Sequence, residues 1–383
     1  MLARTPDPVR LADAAPGALT GRAGETSAVL RMLDGEKLVT LTGLPGVGKT
    51  AVGLAVAAAA AGNFADGAAI IRLDALRDEA LLPHSIVAAL RLPDEFTRSP
   101  LQVLVEALQD RHMLLVFETC EHLLGACAAL CATLLQLCPK VQILATSREP
   151  LRVPGESALS IRPLRLGDAM TLFSRRAAQA SIAIAPEACA TVASLCVQLD
   201  KLPLAIDLAV RELGSMAPGP DEACGDPARR PAPVASLTRL LAALETDYDM
   251  LRDPGNPVRR HRSLRAAIGW SHELCAPAER LLWARLSVFT GAFRPRDAQD
   301  VCTTSQLADE AVAAGLALLT EKSVLLTEEG TDDIRRFLLP GTLRAYGHQM
   351  LSRLAQDAEF DDRYHCWQDG RPGGSGSRPS AGR

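Results

Sequence analysis

No stretch of this chain is apolar for long enough to cross a membrane. The longest such run, 51–61, falls well short of the ~18 residues a spanning helix needs. The amino-terminal MLARTPDPVRLADAAPG lacks the apolar centre of a secretory leader, so a cytoplasmic location is expected and a membrane partner is not. A strong charge of either sign is missing too. The net charge is −4 over 383 residues, which leaves no overall electrostatic footprint for nucleic acid. The ten cysteines include no C-x-x-C pair. Cys120, Cys127, Cys131 and Cys138 recur at helical intervals in an Ala- and Leu-rich stretch, the pattern of buried reduced thiols; a metal site with His122 is the competing reading. What remains is a globular composition, 48% hydrophobic and 22% charged, with length enough for one to three domains.

One stretch organises the rest. Residues 38–50 read LVTLTGLPGVGKT: a β-branched, apolar run stops at Gly43, and an Ala-rich helical stretch follows Gly48. Between them lies G-x-x-x-x-G-K-T, made by Gly43, Gly48, Lys49 and Thr50, with Gly46 as an extra glycine in the loop. Glycines remove the Cβ atoms that would keep a phosphate from the backbone N–H groups. Lys49 reaches the β- and γ-phosphates, and the Thr50 hydroxyl can ligate Mg²⁺. The helix that follows turns its positive end to the same anion. Pro45, Val47 and Ala51 complete the candidate nucleotide-binding loop. The bland alternative is an ordinary Gly-rich turn.

Short apolar strands then alternate with helical stretches: 68–73, 113–118, a strand from 141 and a last one at 158–161, each pair separated by helix-forming sequence. Buried parallel strands have this character, so a doubly wound α/β domain is expected over 20–165, after a flexible segment at 1–19. From 166 the period is purely helical. A helical domain is expected over 166–214 and a Pro- and Gly-rich linker over 215–236. Three amphipathic helices with short strands at 323–326 and 335–339 suggest a winged helix within 237–355. A disordered tail is expected over 356–383.

Phosphate chemistry needs an acid near the loop. Glu118 ends the apolar MLLVF run, with Glu121 close behind; a carboxylate there can hold Mg²⁺ through water or polarise an attacking water. Its competitor is a solvent-facing acid at a strand end. Thr146, Ser147 and Arg148 end the fourth strand, where ligands of open α/β sheets sit. Arg148 is a candidate γ-phosphate sensor because a guanidinium pairs bidentately with phosphate oxygens. Lys49, Glu118 and Arg148 are therefore the candidate catalytic residues, and Thr50 and Glu118 the candidate Mg²⁺ ligands. Pro203 opens a helix, which by itself says only helix start. The basic run Arg259, Arg260, His261, Arg262 with Arg265 reads as a solvated helix end, with contact to phosphate or nucleic acid as the alternative.

The order of motifs resembles the STAND class of signal-transduction NTPases, specifically the NB-ARC-like ATPase core of LuxR-type and SARP-type bacterial transcriptional regulators. TGRAGE, LVTLTGLPGVGKT, LLVFETCEHLL, ILATSREPLRVPGE, LDKLPLAIDLA, RHRSLRAAIGWS, ERLLWARLSVFTGAF and LRAYG carry the likeness, in that family's order. The resemblance implies a switch closed with ADP and opened by exchange for ATP, with slow hydrolysis. It implies that Arg22 lies near the base and sugar, that Arg148 is the first sensor and that Pro203 packs on adenine. It also implies that the winged helix is a switch element, so direct DNA binding by this chain is not expected. A separate DNA-binding protein, or self-association on activation, is the expected partner.

The sequence departs from the family pattern at three places. Its third strand ends Glu118–Thr119 where the family has Asp-Asn or Asp-Asp, which pushes the carboxylate out by about a bond length, ~1.5 Å. Lys201 stands where glycine is frequent, and Pro340–Gly341 where an acid is common. The family's separate DNA-binding domain and ~34-residue sensor repeats are not visible, so a stand-alone regulator and a truncated one are both open. Two other functions compete: a nucleotide-binding scaffold without turnover, suggested by Glu118–Thr119, and a metabolic P-loop kinase.

Overall fold

The computed structural model describes residues 19–93, 98–216, 231–232, 234–329 and 334–370. Five strands form one parallel sheet: β1 (Leu38–Gly43), β2 (Ala68–Arg72), β3 (Leu114–Glu118), β4 (Gln142–Thr146) and β5 (Glu156–Ile161), in the order β2-β3-β4-β1-β5. Parallel neighbours cannot be joined by tight turns, so helices cross over between them and cover both faces. That is why β1 is buried at every residue and reads as an unbroken apolar run. The register decides which strand ends meet. Thr146 of β4 pairs with Leu41 of β1 on one side and with Glu118 of β3 on the other. The carboxyl ends of β1, β4 and β3 therefore lie side by side, although they are far apart in the chain.

The crossovers are α2 (Lys49–Ala60), α3 (Leu82–Ala89), α4 (Pro100–Leu108) and α5 (Leu124–Leu137), preceded by α1 (Ala23–Gly35). Helix α4 starts where Ser99 and Gln102 cap each other's backbone N–H groups and Pro100 needs no donor. Leu104, Leu108, Leu130 and Leu134 pack with Ile71, Phe117 and Ile143 into the core beneath the sheet. Cys120, Cys127, Cys131 and Cys138 join this core as free thiols. Among the described residues no group of His, Cys, Asp and Glu is placed to hold a metal ion; the His122 ring instead meets the Leu76 carbonyl at 2.8 Å.

A helical layer follows: α6 (Leu166–Gln179), β6 (Ala183–Ile184), α7 (Cys189–Gln198), α8 (Pro203–Ser215), β7 (Pro231–Ala232) and α9 (Val234–Thr246). Phe173, Leu195, Ile206 and Leu240 are buried in it. The turn into α8 holds Lys201 at φ 55, a left-handed conformation that glycine adopts without strain.

The chain divides into two compact units, Met1–Ala267 and Ile268–Arg383, with α10 (Leu264–Glu273) crossing the boundary. In the second unit α11 (Pro277–Leu286), α12 (Pro295–Cys302) and α13 (Asp309–Glu321) are followed by the antiparallel hairpin β8 (Leu326–Glu329) and β9 (Arg335–Leu338). Three helices and a hairpin make a winged helix. Trp283 is wholly buried and its Nε1 donates to the Leu343 carbonyl of α14 (Gly341–Arg353) at 3.1 Å.

Several boundaries differ from the sequence-based expectation. The first wing strand begins at Leu326 and not at Ser323, because Ser323, at φ 55, still closes the end of α13. The helix expected to open the winged-helix domain, α9, packs on α7 and α8 in the first unit, and it starts at Val234, inside the expected linker. The tail expected to be disordered over 356–383 contains a helix, α15 (Asp357–Asp369). Its Phe360 and Tyr364, one turn apart, are buried, and the Arg285 guanidinium lies 4.5 Å over the Phe360 ring. The N-terminal segment to residue 18, most of the expected linker and the final 371–383 lie outside the described residues. No helix among the described residues is long and apolar enough to cross a membrane.

Candidate functional site

The loop from β1 to α2 is built on backbone that side chains would block. Gly43 has φ 143, and a Cβ there would sit 2.5 Å from the Ile161 carbonyl oxygen; at Gly46, φ 73, it would sit 2.7 Å from Leu204 Cβ. The start of α8 closes on this loop, with the Leu204 N–H donating to the Gly46 carbonyl at 3.2 Å. Arg22, buried at the head of α1, donates to the Val47 carbonyl at 2.8 Å and to Glu25 at 2.6 Å. The loop is thus held from two sides, by α8 and by Arg22.

A cavity of about 350 Å³ opens over it, within the usual size of ligand pockets. One end is lined by Gly48, Lys49, Thr50, Thr119, Glu121, Thr146, Arg148, Arg260 and His261. The other is lined by Leu19, Thr20, Arg22, Leu172, Arg176, Pro203, Leu204 and Asp207. The first end is charged; the second mixes Leu19, Leu172, Pro203 and Leu204 with Thr20, Arg22 and an ion pair between Arg176 and Asp207 at 2.7 Å.

At the charged end, Lys49 folds back on its own loop and donates to the carbonyls of Gly43 and Leu44 at 2.8 and 3.2 Å. Arg148 pairs with Glu121 at 3.2 Å, both buried, and also donates to the Ala267 carbonyl at 3.3 Å. Thr119 gives its N–H to the Thr146 hydroxyl at 3.0 Å and accepts from Arg260 at 2.7 Å. Three cations therefore surround one carboxylate. Their mutual repulsion shows in the titration behaviour. Burial, followed by the field of Arg148, brings Lys49 down to about 7. Burial, with Arg260 beside it, brings His261 down to about 4. Burial works to raise the Glu121 pKa, but Arg148 and Lys49 outweigh it and hold the carboxyl below its ordinary value. At neutral pH this end of the cavity is an ionised acid within a surplus of positive charge.

Of the residues singled out in the sequence, Arg22, Pro45, Gly46, Val47, Gly48, Lys49, Thr50, Ala51, Arg148 and Pro203 come together in the cavity wall. Gly43 takes part through its carbonyl, which accepts from Lys49. Glu118 stands apart. It is not in the wall, and its Oε2 is buried 3.6 Å from Arg72 Nε without a hydrogen bond. The acid in the cavity is Glu121, three residues further on, because the chain turns back at Thr119 with φ 72. Sequence reading missed Asp207 and Arg176, named Thr119 only as a departure from the family pattern, and held phosphate contact by Arg260 only as the alternative reading. The basic run at 259–262 was the only available sign of Arg260, and charge density alone reads as solvated surface.

A parallel sheet with a glycine-rich phosphate loop at the end of β1 defines a P-loop ATPase fold, and a winged helix follows it in the chain. Comparison with known proteins agrees on both parts. The Winged helix-turn-helix domain family matches residues 275–352. The Walker-type ATPase PABY2304 of Pyrococcus abyssi has the same fold at 14% identity, with a TM-score of 0.59 over 86% of this chain and 96% of that one. The chain belongs to the family of the Uncharacterized protein Rv0894 of Mycobacterium tuberculosis, to which it is 33% identical over 89% of its own length and 82% of that protein's. It is also 35% identical to the "Putative HTH-type transcriptional regulator Rv0890c" of the same organism, across 86% of this chain but only 35% of the regulator. The chain thus spans about a third of the length of that relative.

Proposed function

We propose that this chain is an ATP- and ADP-binding regulatory switch with slow hydrolysis, the nucleotide-operated core of a transcriptional regulator of the NB-ARC-like STAND class, acting in the cytoplasm. The observation that carries the reading is the cavity over the Gly43–Thr50 loop, in which Lys49, Thr50, Glu121 and Arg148 converge while Pro203 and Leu204 close the opposite side. The loop's N–H groups and the N-terminus of α2 cradle the phosphates, with Lys49 released from the Gly43 carbonyl to meet them. Pro203, Leu172 and Leu204 offer an apolar slot for the base, and Arg22 stands at its edge. Mg²⁺ supplies charge neutralisation on the phosphoryl oxygens when bound. The donors fit it: the Thr50 hydroxyl and a carboxylate kept ionised, which in the cavity is Glu121 and not Glu118. Arg148 orients Glu121 and can turn its guanidinium to phosphate.

The winged helix is proposed as a switch element and not as a DNA reader. Helix α13 occupies the position from which such domains read the major groove, yet its exposed residues are Asp309, Glu310 and Glu321 with alanines and Leu318. A face without lysine or arginine gains nothing from phosphate neutralisation, the main source of DNA affinity. A separate DNA-binding partner, or self-association, fits that face better.

The test begins with the nucleotide carried by the purified protein, released by denaturation and chromatographed. ADP in near-equimolar amount is expected. Lys49→Ala should weaken ADP binding roughly 10- to 100-fold without unfolding the chain, the loss expected of one charge-assisted phosphate contact. A folded Lys49→Ala protein with unchanged ADP affinity refutes the site. Binding without turnover is the second reading, favoured by the distance of Glu118 from the cavity. Absence of phosphate release above background, from a protein that binds ATP, would establish it.

A further inference from the structure

Arg260 is not needed to hold the inner phosphates, the metal or the base, yet its guanidinium enters the charged end of the cavity. It comes from the segment between the helical layer and α10, a 3₁₀ turn over Arg259–His261. Its Nη2 donates to the Thr119 hydroxyl at 2.7 Å, and it lines the cavity together with Lys49, Glu121 and His261. Thr119 is itself unusual. It holds φ 72, a region β-branched residues rarely enter, and such strain persists only where the surroundings enforce it. The turn aims its hydroxyl into the cavity, where Arg260 takes it up. A strained residue and an arginine reaching into the cavity are thus matched to each other at the end of β3.

The cavity lining carries Arg22, Lys49, Arg148, Arg176 and Arg260 against the carboxylates of Glu121 and Asp207, so positive charge is in excess. Lys49 belongs to the loop that cradles the inner phosphates. Arg148, just after β4, and Arg260, held by Thr119 just after β3, line the same cavity, on the side to which the outermost phosphate of a chain held by such a loop is directed.

The geometry points to Arg260 as a reader of the terminal phosphate of a bound nucleoside triphosphate, with the Thr119 hydroxyl holding its guanidinium in the cavity. The inference rests on the proposed nucleotide site and makes it selective: a diphosphate ends short of Arg260, whereas a triphosphate reaches it. Arg148, already engaged with Glu121 and the Ala267 carbonyl, is less free to serve alone.

Isothermal titration of the nucleotide-free full chain with AMP-PNP and with ADP, both with Mg²⁺, tests it. Arg260→Gln should weaken AMP-PNP binding about tenfold or more while ADP binding changes less than about threefold. Arg260→Lys keeps the charge but loses the planar fork, so an intermediate loss, again confined to AMP-PNP, is expected; it carries the test should the glutamine variant fail to fold. Arg259→Gln, an exposed neighbour outside the cavity wall, controls for general electrostatics and should change neither. Equal losses for both nucleotides, or no loss in the arginine 260 variants, overturn the assignment. A wild-type chain that binds neither nucleotide refutes the site itself, and a wild-type chain that binds both separates that failure from this one.

Discussion

Raising the pH should release nucleotide, and the size of the effect follows from one side chain. Burial, followed by the fields of Arg148 and Arg260, brings the Lys49 pKa to about 7. A bound polyphosphate adds negative charge around the ammonium and restores its pKa toward the ordinary lysine value of ~10.4. The protonated form therefore binds, and above pH 7 each further unit costs a proton that binding must recover. Affinity should fall close to tenfold per unit, or ~20-fold between pH 7.5 and pH 9. Glu121 is held below its ordinary value and His261 is brought down to about 4, so neither changes charge in that window. The phosphate's own second ionisation is complete by then, near ~6. Titration calorimetry in buffers of different ionisation enthalpy should show uptake of about half a proton on ADP binding at pH 7, rising toward one at pH 8.5. Lys49→Met should bind more weakly and lose the dependence. An affinity constant to within twofold across pH 7.5–9, with no buffer-dependent heat, would refute this role for Lys49.

Two further outcomes test the placement of the acids and of the last helix. Glu121→Gln should lower phosphate release from ATP by ~10²-fold, whereas Glu118→Gln should leave it within threefold; the reverse ranking would return the acid's role to the strand end. Phe360→Ala removes a wholly buried ring from α15 and should cost about 3 kcal/mol in that unit, seen as a lower melting temperature and faster proteolysis within 357–369. Unchanged protection there would mean that α15 is not anchored through Phe360.

Much of the glycine-rich loop's shape was legible from local chemistry, because Gly43, Gly46 and Gly48 are neighbours in the chain and the loop uses the positive φ that glycine allows. The parallel sheet was legible too, because strands covered on both faces must be apolar throughout. The acid was not. Glu118 ends the strand as expected, but whether a strand-end side chain points into the cavity or toward β2 depends on one backbone turn at Thr119. Residues 356–369 looked too polar for structure because their apolar positions are few; Phe360 and Tyr364 count only once Arg285 and α12 supply a surface for them.

The sequence by itself determined the fold class, the phosphate loop and the winged-helix segment, since each depends on periodicity or on residues close together in the chain. Only the tertiary structure decided which charged groups share the cavity. Glu121, Arg148, Arg260 and Asp207 come from four separate segments, and they meet because β4 lies between β1 and β3 and because α8 folds back over Gly46. Charge leaves no periodic mark in a sequence, so its function is set by what the fold brings next to it.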